Sequence, residues 1–299
     1  MSTTTTQTTN TSATTTLSGT AQAQDDPSYV PRGPVKTQLN FFKDPADGSK
    51  PWNYINKQPE GQPQRNFGYD AIEVELSDIR GHEDNYNLDK DAFEAIKNVG
   101  PSKETEFMDD EHIKKVYYPE VEHLLLDYVP GAHKVTIFDH TIRRSDPDAH
   151  RAPVTRVHVD QTARSTEWRV RKHDPDEADE LLKGRFRIIN VWRPINGVVQ
   201  AHPLAFASAG TVSDSQDLVP VEQRYPDWSG EIAGVRYNEN QRWYYWSGMD
   251  NDERLLLKCY DSKGDGVAQR VPHSAFVDPR TPKGAKGRES IEVRALVYG

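Results

Sequence analysis

The segment with the most chemistry to offer is His158-Val159-Asp160. On a β-strand, residues i and i+2 project from one face, so an imidazole and a carboxylate there converge on a single point. Two histidines and one carboxylate on one face of an octahedron hold iron(II) and leave positions open for a chelating co-substrate and dioxygen. The triplet alone is a weak signal in a chain with ten histidines. What strengthens it lies downstream, where His273 stands in Pro272-His273-Ser274-Ala275-Phe276 and Arg288-Glu289-Ser290 begins 15 residues later. A guanidinium in that place pairs bidentately with the distal carboxylate of 2-oxoglutarate. The Ser290 hydroxyl, two positions on, donates from the same strand face. The ordered set points to His158, Asp160 and His273 as metal ligands and catalytic centre, with Arg288 and Ser290 as the co-substrate anchor.

Several other segments carry a likeness to known proteins. Asn190-Val191-Trp192-Arg193-Pro194-Ile195, Pro203-Leu204-Ala205, Arg242-Trp243-Tyr244-Tyr245, Tyr260-Asp261-Ser262 and Arg288-Glu289-Ser290-Ile291-Glu292-Val293-Arg294 follow one another in order. Together they resemble a fungal and bacterial hydroxylase/desaturase family of Fe(II)/2-oxoglutarate-dependent oxygenases, which includes AsaB, the gibberellin desaturase, CmcJ and TqaL. The likeness runs from about residue 40 to 297. It implies a double-stranded β-helix, the cofactors Fe(II), 2-oxoglutarate and O2, and oxidation of an unactivated C–H bond of an amino acid or secondary metabolite. Hydroxylation, desaturation and ring closure, such as aziridine formation from a valine-type amino acid, are all outcomes of that chemistry. Residue by residue it again gives His158, Asp160 and His273 as ligands and Arg288 and Ser290 as the anchor. Gln241, where a histidine is common, and Ala207-Ser208, where an acidic residue is common, depart from the family pattern and put the substrate in question rather than the chemistry.

Four further residues are candidates for substrate contact: His140, Asn190, Arg193 and Arg294. His140 lies in the family-like Phe138-Asp139-His140-Thr141, and its plainer reading is a hydrogen-bonded structural histidine. Asn190 and Trp192 share a strand face, with Arg193 opposite. Arg193 and Arg294 are each a candidate counter-ion for a substrate carboxylate, and a structural ion pair is the competing role. A cupin-like isomerase or binding protein using the same three ligands without 2-oxoglutarate is the alternative function, and Arg288 and Ser290 argue against it. A non-enzymatic sandwich module leaves the ordered set as coincidence.

These residues need elements to position them. Residues 71–76 alternate apolar and acidic side chains, as a half-buried strand does. Phe93, Ile96 and Val99 form the stripe of an expected helix over 89–99, stopped by Gly100-Pro101. A second helix is expected over 119–128, with Pro119 in its first turn. Strands are expected over 134–142, 185–193 and 290–298. Two more, over 242–247 and 253–260, flank a hairpin turn at residues 248–252. Residues 174–182 read as a short acidic helix or loop. Many strands after a helical start make a mainly β chain, a sandwich or jelly roll with flanking α-helices. The domain organisation expected is a disordered Ser/Thr-rich tail over 1–24 and a single jelly-roll oxygenase domain over 25–299 with an irregular N-terminal arm over 25–70.

The 299 residues carry a net charge of −9, which argues against general binding to nucleic acid or membrane surfaces. The single cysteine, Cys259, excludes an internal disulfide and a paired-cysteine zinc site, and reads as a buried structural thiol. No apolar run approaches the roughly 20 residues that span a bilayer, and the first residues lack a secretory pattern. A cytoplasmic, soluble enzyme with a small-molecule substrate is the expectation; the oligomeric state is not legible.

Overall fold

The computed structural model describes residues 26–145, 152–264 and 266–299. The tail expected over 1–24 lies outside them. Fourteen strands among the described residues are numbered in chain order: β1 (Val35–Lys43), β2 (Trp52–Tyr54), β3 (Gly68–Asp78), β4 (Phe93–Ile96), β5 (Lys134–Arg144), β6 (His158–Val159), β7 (Phe186–Pro194), β8 (Leu204–Ala207), β9 (Leu218–Arg224), β10 (Ser229–Val235), β11 (Trp243–Tyr245), β12 (Arg254–Asp261), β13 (His273–Ala275) and β14 (Glu289–Tyr298). They form a nine-stranded sheet in the order β1-β3-β11-β8-β13-β6-β10-β9-β2 and a five-stranded sheet in the order β4-β12-β7-β14-β5. The chain is a jelly roll, mainly β, with helices packed outside.

The alternation along β7 and β14 decides what each face meets. Ile189, Val191, Ile291, Val293 and Ala295 point outward, where they pack with Ile113, Tyr117, Val121 and Leu125 of a long helix, α2 (Asp110–Tyr128), which follows a one-turn helix, α1 (Leu88–Asp91). Ile188 and Leu296 point inward, into a second core cluster that takes in Leu39, Phe41 and Trp243 of the large sheet. With both faces covered, β7 is buried along its whole length. The inward residues that precede Leu296 on β14 are Ser290, Glu292 and Arg294, so a polar row lines the space between the sheets.

Several expected elements take another form. Residues 89–99 are not one helix: α1 is capped by the Asn87 side chain, ends at Ala92 with φ +64°, and gives way to β4, which pairs antiparallel with β12. The i, i+3 spacing of Phe93 and Ile96 suits a helix in isolation, but an open edge of the five-stranded sheet takes these residues as a strand. Helix α2 begins nine residues before Pro119, at Asp110, with the Asp109 side chain accepting from Glu111 and His112 amides. The proline is therefore interior, and the packing of the helix's apolar stripe offsets the one lost hydrogen bond. Residues 248–252 do not close a hairpin, because β11 joins the large sheet and β12 the small one. Within the stretch 25–70, Val35–Lys43 forms a regular strand paired along its length with β3.

Helix α3 (Ala163–His173), which sequence periodicity leaves unmarked, starts shortly after Asp160 and is fixed by a reciprocal cap between Thr162 and Ser165. A short helix, α4 (Ala178–Leu181), occupies the stretch read as an acidic helix or loop. Among the described residues no helix is long and apolar enough to cross a membrane.

Candidate metal centre and co-substrate pocket

His158 opens the shortest strand of the large sheet and pairs directly with His273 on β13. Val159 points the opposite way and is fully buried, so His158 and Asp160 emerge together on one face. One ligand atom from each of His158, Asp160 and His273 lies within 4.8 Å of the others. His158 Nε2 is 3.2 Å from Asp160 Oδ1, and the two imidazole rings are 4.5 Å apart.

The remaining atoms of these three side chains are committed elsewhere. His158 Nδ1 is 2.9 Å from the Arg156 carbonyl and His273 Nδ1 is 3.1 Å from the Val271 carbonyl. A carbonyl only accepts, so each Nδ1 carries a proton, and in the neutral imidazole Nε2 is then the nitrogen that could offer a lone pair to a metal. Asn190 donates from Nδ2 to Asp160 Oδ2 at 2.7 Å, leaving Oδ1 toward the histidines. Burial works to raise the Asp160 carboxyl, but the His158 contact and the nearby His273 and Arg294 hold it well below the usual carboxylate range. Burial and the neighbouring His273 lower His158. Neutral imidazoles and an ionised carboxylate are the donor set that iron(II) in a facial triad requires.

Arg288 and Ser290 occupy the same inner face at the start of β14. Arg288 is 2% exposed, its Nη1 donates to the His202 carbonyl at 2.6 Å, and its guanidinium lies 5.3 Å from the centre of the Trp192 ring. Among the described residues no carboxylate pairs with it, and burial pushes it down to about 9. Arg288 Nε and Ser290 Oγ are both buried without a partner. A buried cation and hydroxyl left open are costly unless an anion fills the place, and the distal carboxylate of 2-oxoglutarate has the charge and the acceptor oxygens to do so.

The structure separates the four further candidates. Asn190 and Arg294 lie beside the His158, Asp160 and His273 group: they face each other across β7 and β14, and Arg294 lines a cavity with Asp160, its Nε 2.7 Å from Asp139. His140 and Arg193 point away from it. His140 is paired with outward-facing Val293 and stands between Tyr118, 3.0 Å from Nδ1, and Asp110, 3.3 Å from Nε2. Arg193 is paired with outward-facing Ile291 and covers the rings of Phe107 and Tyr117 at 5.5 and 5.8 Å. Strand alternation puts both on the outer, helix-covered side of the small sheet, away from the His158, Asp160 and His273 group.

Residues that sequence reasoning passes over also gather here. Glu292 lies between Ser290 and Arg294 on the inward row, and burial and the nearby Asp160 raise its carboxyl. The i, i+2 spacing from Ser290 is the signal that could find it. His202 holds a left-handed backbone, φ +51°, immediately before Pro203, and its Nδ1 is buried without a partner near Arg288. A non-glycine residue before proline is disfavoured there, and nothing in the sequence marks it. The cavity that Asp160 and Arg294 line has a volume of about 710 Å³ and is walled by α3 and by the hairpin of β9 and β10.

Comparison with known proteins agrees with this chemistry. Residues 39–298 match the family described as "Oxidoreductase/YMDC permease-like domain". The hydroxylase/desaturase poxK of Penicillium oxalicum is 36% identical, over 90% of this chain and 92% of its own. The Fe(II)/2-oxoglutarate-dependent dioxygenase nvfI of Aspergillus novofumigatus is 32% identical, over 87% of this chain and 95% of its own. A solved structure of the iron and alpha-ketoglutarate-dependent endoperoxidase NvfI superposes with a TM-score of 0.81 at 30% identity, covering 90% of this chain and 99% of that one. The dioxygenase nvfI and the endoperoxidase NvfI are dependent on iron and 2-oxoglutarate, which fits the His-Asp-His group of this chain. The chain belongs to this family of Fe(II)/2-oxoglutarate-dependent hydroxylase/desaturase oxygenases.

Proposed function

We propose that His158, Asp160 and His273 hold the iron(II) of this oxygenase, that Arg288 and Ser290 anchor 2-oxoglutarate, and that the substrate is a small molecule entering from the cavity beside Asp160 and Arg294. The observation that carries the reading is the convergence of one imidazole nitrogen from each of His158 and His273 and one carboxylate oxygen of Asp160 within 4.8 Å. A second support is the Arg288 guanidinium, buried and without a carboxylate partner among the described residues.

Iron(II) with 2-oxoglutarate and dioxygen supplies an oxidant able to take hydrogen from an unactivated C–H bond. The protein's own part is positional. Arg156 and Val271 carbonyls fix the two imidazole tautomers, and Asn190 turns Asp160 so that one oxygen faces them. Arg288 and Ser290 bind the far end of the co-substrate in a site closed to water, which strengthens a charge-assisted pair. Glu292 and Arg294 line the way between anchor and ligands, and Arg294 is itself held by Asp139 and Thr141. Whether the bond broken leads to hydroxylation, desaturation or ring closure depends on how the cavity places the substrate. The proposed setting is the cytoplasm, in keeping with a single buried thiol at Cys259.

The test is an anaerobic titration of the iron(II)-loaded protein with 2-oxoglutarate, following the weak visible charge-transfer band of the chelate. The band is expected in the wild type and lost in His158→Ala and in Arg288→Ala at moderate co-substrate. A folded, iron-loaded protein with no band would overturn the reading in favour of a cupin-like metal site.

A further inference from the structure

The cavity beside Asp160 has one wall that is prepared for a particular ligand chemistry. Arg169 lines it from α3. The Arg169 Nε donates to Gln161 Oε1 at 3.0 Å, and its guanidinium carbon lies 4.5 Å from the centre of the Phe138 ring. Gln161 is 1% exposed, and its amide oxygen also accepts from Ser165 Oγ at 3.0 Å. The fork is thus pinned at its stem and along one face. Among the described residues no hydrogen bond or ion pair engages its two terminal nitrogens.

The nearby carboxylates have other partners, and Asp139 attracts Arg169 without pairing with it. Asp139 is 2.7 Å from Arg294 Nε, and Asp160 receives Asn190 and faces the histidines. Two other acids on the cavity wall are engaged as well. Glu231 receives the Thr162 hydroxyl, and Glu222 receives Arg224 Nε and the Ser229 hydroxyl, each at 2.9 Å. Lys50 and Arg164, both exposed, and Arg294, held by Asp139 and Thr141, also line the cavity; Arg169 is the half-buried cation there whose stem is fixed and whose two terminal N–H edges are open among the described residues. A guanidinium presented in that way matches the two oxygens of a carboxylate.

The same cavity has an aromatic side, and the Trp168 ring centre is 6.0 Å from the Arg169 guanidinium. Trp228, on the turn between β9 and β10, is stacked between Tyr225, at 4.1 Å and 5°, and Trp168 of α3, at 5.4 Å and 12°. Trp168 and Trp228 are nevertheless 42% and 43% exposed, so rings that hold the hairpin to the helix also offer apolar surface at the mouth. Large exposed apolar surface at the rim of a cavity marks a place where a ligand body lies.

We propose that this cavity takes a carboxylic acid with a flat, apolar body, its carboxylate gripped by Arg169 and its body lying against the Trp168–Trp228–Tyr225 stack. The assignment rests on the metal centre being at Asp160, since that makes the cavity the substrate's. Arg169 is then a specificity-determining residue, distinct from the Arg288 anchor that holds the co-substrate.

The probes are 2-naphthoate and 2-naphthamide, alike in shape and differing in charge. Each is titrated calorimetrically into anaerobic protein loaded with iron(II) and 2-oxoglutarate, and again into metal-free protein. Wild type is expected to bind the acid at least about tenfold more tightly than the amide, the usual worth of a charge-assisted pair. Arg169→Gln should bring the acid down to the amide and leave the amide and the co-substrate band unchanged. Trp228→Ala should weaken both probes by a similar factor. Equal affinities in wild type, a preference that survives in Arg169→Gln, or no binding of either probe would overturn the proposal. Loss of the metal reading is seen separately, as a missing co-substrate band in wild type, while the acid preference is still measured on metal-free protein.

Discussion

At the scale of single residues, the site depends on side chains that touch the proposed metal ligands without being ligands. Asn190 is fully buried on β7, and its side chain's only hydrogen bond among the described residues runs from Nδ2 to Asp160. That bond leaves Oδ1 as the carboxylate oxygen that would meet the proposed metal. Asn190→Ala frees Asp160 to rotate and leaves Oδ2 unsatisfied, and loss of such an orienting partner weakens metal affinity by about 10- to 100-fold. Iron(II) competition against a chelator measures this directly, and an affinity equal to wild type would show that Asp160 is oriented by the backbone alone. Ser290→Ala probes the other end. Its hydroxyl is one donor beside a guanidinium, so the 2-oxoglutarate dissociation constant should rise by a few-fold to about tenfold, in line with roughly 1 kcal/mol for one hydrogen bond. Metal affinity should not move, because the Ser290 hydroxyl makes no hydrogen bond to any of the three ligands.

At the scale of elements, the sequence is legible wherever chemistry and periodicity coincide. The convergence of His158 and Asp160 is readable because a two-residue period on a strand dictates it, and the shared inward face of Arg288 and Ser290 follows from the same rule. The strand over 290–298 is readable from Ile291, Val293, Ala295 and Val297, though it is the polar residues between them that face the site. What escapes the sequence is long-range. Phe93 and Ile96 belong to a strand only because β12 lies beside them, with Leu257 opposite Phe93 and Arg254 opposite Ile96. His140 and Arg193 look available because a strand's two faces cannot be told apart until it is known that α2 covers one. Helix α3 goes unmarked because its buried residues are only Thr166 and Val170, too few to make a stripe. The packing of β10 shows how tightly these strands position the ligands. Gly234 pairs with His158, and a Cβ there would lie 2.6 Å from Cδ2 and 2.9 Å from Cγ of Phe42. Phe42 is itself packed on Phe67 at 5.0 Å and has little room to retreat. Gly234→Ala should therefore destabilise the fold by about 1–3 kcal/mol, as overpacking does. It should also weaken iron binding, since the displaced rung carries His158. Denaturant midpoints read the first effect and chelator competition the second.

At the scale of the molecule, two sheets with different neighbours must be fastened at their ends, and one fastening is ionic. Glu83 lies on a one-turn 3-10 helix, Glu83–Asn85, after β3, and is 4% exposed. Its carboxylate accepts from Trp246 Nε1 at 3.0 Å, just beyond β11 in the large sheet, and from Lys97 Nζ at 3.2 Å, just beyond β4 in the small one. Arg80 Nη1 stands 3.8 Å away. Burial alone would raise this carboxyl, but backbone amides together with Lys97 and Trp246 outweigh it and bring it down to about 2 from 4.5. A depressed native value means that the ionised form favours the folded state. The stabilisation is complete above the unfolded value of 4.5 and is lost as pH falls through about 2. The size of the shift corresponds to about 3 kcal/mol at neutral pH, and to roughly half that at pH ~3 by the same linkage. Glu83→Gln should consequently lower the unfolding midpoint well below wild type at neutral pH, with the gap closing as both proteins are taken to acid. Thermal or urea unfolding of the pair across that range is the measurement. A gap that stays constant with pH would mean that Glu83 acts through shape and neutral hydrogen bonds, and that the two sheets are joined at this end by Trp246 packing rather than by charge.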